Sequence, residues 1–203
     1  HLSIRRQRQM CIRDSANAVF ARTISALQSE RVKASQVLEG PTGRPANNRP
    51  AVLEKIQHAL LAAKICAYAQ GFSLLKAADQ EHQWHLPMGT VAAVWRAGCI
   101  IRARLLEDIR HAHERSADLD NLLMDPHFSV VMARCQQALR EVVALGALQG
   151  VAIPSFMSAL SYYDAYRSAR LPANLLQAQR DYFGAHQYQR IDRPGKFHTQ
   201  WAA

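Results

Sequence analysis

Residues that punctuate or staple a chain are scarce in this sequence: nine glycines, eight prolines and four cysteines among 203 residues. So little Gly and Pro excludes collagen-like and low-complexity architectures. Cys11, Cys66, Cys99 and Cys135 stand singly, with no C-x-x-C pair and no tight Cys/His cluster. That excludes a disulfide framework and a clustered zinc site, and it fits a reducing cytoplasm. Long apolar runs are missing as well. Ala59–Ala63 is followed at once by Lys64, far short of the ~20 apolar residues of a membrane helix. Arg5, Arg6, Arg8 and Arg13 crowd the start without an apolar segment behind them, so no secretory leader is read. No stretch alternates apolar and polar residues long enough for a strand, and no hairpin signal is present.

What remains is helical. Hydrophobic residues make up 49% of the chain, enough for a buried core and too much for wholesale disorder. From Ala16 to Leu38, residues Val19, Phe20, Ile24, Leu27, Ala34, Val37 and Leu38 recur at helical spacing, and Gly40-Pro41 ends the pattern. The Gly/Pro/Asn-rich stretch 40–49 reads as an exposed connection. Pro50 then suits the first turn of a second helix that carries Leu53, Ile56, Leu60, Ile65, Tyr68, Phe72 and Leu75 toward a core, with Gly71 at a close helix contact. Further helices are expected over 88–96 and, beyond Gly98, over 100–113. Asp125-Pro126 is a cap followed by a first-turn proline for a helix to Gln149, which Gly150 terminates. Ser155–Arg170 and Pro172–Phe183 complete the set, with Gly184 as the final stop. Cys66, Cys99 and Cys135 fall in apolar helical stretches and act as small hydrophobes. The fold class is all-α.

From Ala185 onward the helical period vanishes and Pro194-Gly195 marks a turn. This tail is unusually aromatic, with Tyr188, Phe197 and Trp201 following Tyr182 and Phe183, so it is expected to dock on its own domain or on a partner chain. No Gly-x-Gly-x-x-Gly, P-loop, G-x-S-x-G or H-E-x-x-H motif occurs. His111 and His113 do not share one helical face, and His82 and His85 could share one but have no carboxylate or Cys completing a set in sequence, so all read as surface or capping residues and no metal site is assigned. Tyr162, Tyr163 and Tyr166 read as core and rim. Arg22, inside the first helix, is either a solvated helical arginine or an anion clamp. Arg180 and His186 straddle the end of the last helix, where cations complement the dipole. The net charge of +9 suits an anionic partner without naming it.

Longer strings narrow these choices. QAQRDYFGAH (Gln177–His186), with Arg190-Ile191-Asp192 and Phe197-His198-Thr199 after it, resembles the C-terminal signature of decarboxylating 6-phosphogluconate dehydrogenases. Val19–Arg31, Tyr68–Phe72, Arg96–Arg102 and Ser161–Gly184 are similar to the same family in the same order. The resemblance implies the C-terminal helical domain of an NADP-dependent enzyme of the pentose phosphate pathway, oxidatively decarboxylating 6-phosphogluconate to ribulose 5-phosphate and CO2. It also implies a homodimer in which residues 16–183 form the dimerisation and substrate-completing domain and the tail 184–203 reaches into the partner subunit. Arg22 then matches an arginine contacting substrate in its own subunit. Arg180 and His186 match the arginine and histidine that cross the dimer, Arg180 toward the phosphate.

The same resemblance implies what is outside this chain. The Rossmann domain that binds NADP and the catalytic Lys/Glu pair lie elsewhere in the family's sequence, so no catalytic or cofactor-binding residue is assigned here, and the chain by itself is expected to be inactive. Residues 1–15 depart from the pattern and are expected to be a non-native, disordered leader. Two alternatives follow from the residues alone: a basic nucleic-acid-binding module, and a helical oligomerisation module. The first is disfavoured because basic residues are locally balanced by acids, as in Leu106-Glu107-Asp108-Ile109-Arg110. No nucleic acid and no membrane are expected as partners.

Overall fold

The computed structural model describes residues 12–43, 48–98 and 103–201. Of the expected leader, residues 1–11 lie outside the described residues, and Ile12 already opens a helix. Cys11, Cys99 and the expected helix start at Ile100 also lie outside them. Eight α-helices and one two-stranded pair are present among the described residues. They fall into two compact units, one ending at Tyr163 and one starting at Asp164.

The first unit opens with α1 (Ile12–Ala26) and α2 (Gln28–Ala34), where the periodicity predicts one continuous helix. Leu27 breaks it with ψ 43°, and the Arg31 guanidinium donates to the Ser25 carbonyl at 3.3 Å, satisfying a group released near the break. The predicted apolar face is not covered among the described residues: Phe20 is 67% and Val37 79% exposed.

Helix α3 (Arg49–His82) is 34 residues long, roughly 50 Å at 1.5 Å per residue. Asn48 caps it by accepting from the Ala51 N–H, and Pro50 sits in its first turn. Its buried stripe is Ala59, Ala62, Ile65, Cys66, Ala69 and Phe72. The expected stripe is therefore only half right. Leu53, Ile56 and Leu60 are exposed, and a Cβ at Gly71 would meet nothing within 4 Å. Alanines on the inner face let a neighbouring helix approach closely, and α6 (Pro126–Leu148) occupies that face with Phe128, Met132, Cys135, Leu139 and Val142. Burial pushes the Cys66 thiol up to about 12 and raises that of Cys135.

The core is completed by α4 (Met88–Gly98) and α5 (Leu105–Arg115), with Met88, Ala92, Leu106, Ile109 and Ala112 buried. The Phe72 ring meets Trp95 edge-on at 5.4 Å and His113 at 5.3 Å. His113 is thus a packed histidine rather than the surface or capping residue expected. Both its ring nitrogens are buried and have no hydrogen-bond partner among the described residues, and burial, then the charge of Lys76, lowers its pKa.

Buried polar groups tie the connections down. Asp125 is 1% exposed, accepts from the His127 and Phe128 N–H groups at the start of α6, and receives Arg115 through both oxygens. Asn121, ahead of a 3-10 turn (Leu122–Met124), donates to Ser73 and Tyr162 and accepts from the Leu123 N–H. At the far end of α6, Gly150 takes φ 69° and the Val151 N–H returns to the Gly146 carbonyl, the left-handed stop its sequence predicts. Tyr162 and Tyr163 pack against the core and Tyr166 is exposed, as read from their spacing.

Helix α7 (Pro154–Tyr166) ends four residues before the expected Arg170. Ser168 Oγ donates to the Asp164 carbonyl at 2.6 Å and Arg167 pairs with the Asp164 carboxylate, local bonds that compete with another helical turn. The second unit then contains α8 (Asn174–Gly184) and the tail. There the structure departs from the hairpin-free expectation. β1 (Tyr188–Gln189) pairs antiparallel with β2 (Lys196–Phe197), Tyr188 opposite Phe197. Two-residue strands are too short to alternate visibly. The turn between them places Gly195 at φ 118° and the Arg193 guanidinium 4.6 Å from the Phe197 ring centre.

Candidate functional site

The three basic residues singled out from sequence, Arg22, Arg180 and His186, are all exposed. Arg22 projects from the middle of α1 in the first unit and has no hydrogen-bond or ion-pair partner among the described residues. Arg180 and His186 lie in the second unit, on either side of the α8 terminus. Arg180 donates to Gln177 Oε1 at 3.3 Å and has no carboxylate at ion-pair distance among the described residues. Several other arginines are paired with carboxylates among the described residues. Arg110 bonds Glu107 and Glu114, Arg96 bonds Glu107, Arg115 bonds Asp125, and Arg190 bonds Asp192. The Arg110 guanidinium lowers the Glu107 pKa, and Glu107 raises that of Arg110. Such pairing disperses the basic charge and gives the nucleic-acid alternative no support.

His186 is held in a tight turn. Ala185 (φ 49°) and Gln187 (φ 63°) are both left-handed, so the histidine is bracketed by two residues in a conformation that side chains other than Gly rarely adopt. Its ring folds back over Gly184, where a Cβ would lie 2.7 Å from His186 Nε2. Only glycine leaves room for the ring there.

The residue that organises this region was not read from sequence. Asp181, in the last turn of α8, is 0% exposed. Its Oδ1 accepts from the Gln187 N–H (3.0 Å) and His198 Nδ1 (2.9 Å), and its Oδ2 from the Thr199 N–H (2.9 Å) and Trp201 Nε1 (3.1 Å). Its burial, under a thin cover of tail, raises the carboxyl pKa, but the four donors outweigh that and hold it at about 2. One signal was available: an acid in the final turn faces the negative end of the helix dipole and needs an outside reason to be there. Beside it lies an open cleft of about 500 Å³ lined by Arg170, Asn174, Gln177, Tyr188, Arg190 and Thr199. No group of three or more His, Cys, Asp or Glu side chains that could hold a metal exists among the described residues. No described helix is long and apolar enough to cross a membrane.

Residues 7–201 match the family model described as 6-phosphogluconate dehydrogenase, C-terminal domain. The chain belongs to that family. An NADP(+)-dependent, decarboxylating 6-phosphogluconate dehydrogenase of Bacillus subtilis is 54% identical over 185 residues, which cover 91% of this chain and 39% of the relative. A decarboxylating 6-phosphogluconate dehydrogenase of Salmonella typhimurium is 52% identical over 184 residues, with the same coverage. Among solved structures, the Plasmodium falciparum 6-phosphogluconate dehydrogenase, determined in apo form and with its cofactor NADP+ and its substrate 6-phosphogluconate, superposes with a TM-score of 0.83 at 36% identity. That superposition covers 96% of this chain and 42% of the other. The chain therefore spans about two fifths of the length of the curated relatives it matches.

Proposed function

We propose that this chain is the dimer-forming, substrate-completing part of a cytoplasmic, NADP-dependent 6-phosphogluconate dehydrogenase that oxidatively decarboxylates 6-phosphogluconate to ribulose 5-phosphate. What supports the reading is that Arg22, Arg180 and His186 are exposed with no carboxylate partner among the described residues, Arg180 and His186 flanking one helix end, in a chain whose residues 7–201 match this family. Arg22 serves the site of its own protomer. Arg180 and His186 are lent to the partner's site, Arg180 neutralising the phosphate and His186 hydrogen-bonding the sugar acid. A guanidinium meets phosphate oxygens two at a time, so it fixes orientation as well as charge and places the distant reacting carbon. The sequence carries no Gly-x-Gly-x-x-Gly motif, so no residue of it is assigned to NADP, and on this proposal the chain by itself is inactive.

A full-length enzyme tests this, with this chain as its carboxyl-terminal segment and the remainder taken from the Bacillus subtilis relative. Arg180→Ala should raise KM for 6-phosphogluconate by roughly ten- to a hundredfold, the value of one lost charge-assisted contact. Co-expression of Arg22→Ala with Arg180→Ala separates lending from self-service. If Arg180 crosses the dimer, a mixed dimer has one intact site, and a statistical mixture recovers about a quarter of the wild-type activity. If Arg180 serves its own subunit, nothing is recovered and the cross-subunit reading is wrong.

A further inference from the structure

Asp181 is costly where it stands, a buried acid at the unfavourable end of a helix, and none of its four partners comes from the helix itself. They come from the turn, through Gln187, and from the end of the tail, through His198, Thr199 and Trp201. The main chain of the same residue joins in, since the Asp181 carbonyl accepts from the Ala185 N–H at 2.9 Å. Both left-handed residues that bracket His186 therefore have their N–H groups bound to Asp181, one to its carbonyl and one to its carboxylate. Strained conformations of this kind persist only where the surroundings over-determine them, and here a single residue does so. Tail closure is reinforced around it: Tyr188 and Thr199 share a hydrogen bond of 2.7 Å, and the Trp201 ring meets Tyr182 edge-on at 5.9 Å.

We infer that Asp181 is the positioning residue of the substrate arm, its carboxylate fixing the turn that presents His186 and holding the tail against the segment of α8 that presents Arg180. This rests on the function proposed above. Asp181 is fully covered by its own tail and touches no substrate. It acts through its neighbours, by making the arm rigid before the ligand arrives, so that the ordering is done on folding rather than at binding.

Asn at this position keeps one carbonyl oxygen but turns an NH2 toward two N–H donors, so it releases one half of the staple while preserving shape. In the full-length enzyme described above, Asp181→Asn should raise KM for 6-phosphogluconate about tenfold while kcat changes less than about twofold, the signature of lost binding rather than lost chemistry. Trp201→Phe removes one donor and keeps the ring, and should raise KM a few-fold in the same direction. Amide exchange at Gln187 and Thr199 should accelerate in Asp181→Asn, with the amides of Leu139 and Val142 in α6 unchanged. A purely structural role would instead lower the amount of active enzyme at constant KM. If Arg180→Ala raises KM and neither Asp181→Asn nor Trp201→Phe does, the positioning role is overturned and the proposed function stands. If all three leave KM unchanged, both are overturned.

Discussion

Gly184→Ala separates the stability of the arm from its function. The added methyl would sit 2.7 Å from His186 Nε2, 3.1 Å from Cδ2 and 3.3 Å from Cε1. Carbon contacts settle at about 3.5–4.0 Å, so the ring tip must retreat by roughly 1 Å or change rotamer. The ring is exposed and flexible, so this retreat costs little in folding, and replacing a helical Gly by Ala returns up to about 1 kcal/mol. The melting temperature should therefore stay level or rise. Function should move the other way. A displaced imidazole loses a ligand hydrogen bond worth about 1 kcal/mol, so KM for 6-phosphogluconate should rise about fivefold. Steady-state kinetics of the full-length enzyme, alongside a thermal melt, give both numbers. An unchanged KM, or a rise that appears only with a lowered melting temperature, refutes the placement of His186 in the site.

Asp125→Ala removes the α6 cap and the partner of Arg115, a loss of about 2 kcal/mol by urea titration, whereas Asp125→Asn keeps the cap and loses only about half as much. Equal losses would show that capping is not what Asp125 contributes. Acid should loosen the tail late. Because the folded pKa of Asp181 is depressed from 3.8 to about 2, its contribution is full above pH ~4 and disappears as pH falls through about 2, so the Trp201 indole N–H resonance should hold its bonded position down to that point. A midpoint at or above 4 would contradict the staple. Cys66, with its thiol pushed up to about 12 by burial, should resist alkylation at pH 8 until the chain unfolds, as read by peptide mapping. Rapid labelling of Cys66 in the native chain would refute its burial.

Local patterns in the sequence determined the helical class, the cap at Asp125-Pro126, the left-handed stop at Gly150 and the strings that carry the family resemblance. Each depends on residues within a few positions of one another, so one linear reading suffices. Which face of a helix is buried is decided by its neighbours. On α3 the partner helix took the face lined with Ala59, Ala62, Cys66 and Ala69, because small side chains allow close approach, and it left Leu53, Ile56 and Leu60 outside. The hairpin and the Asp181 staple lay beyond local reading for the same reason. The carboxylate meets donors up to 20 positions further along the chain, and only the folded tail brings the Thr199 N–H and the Trp201 indole to a helix end that local electrostatics would have left without an acid.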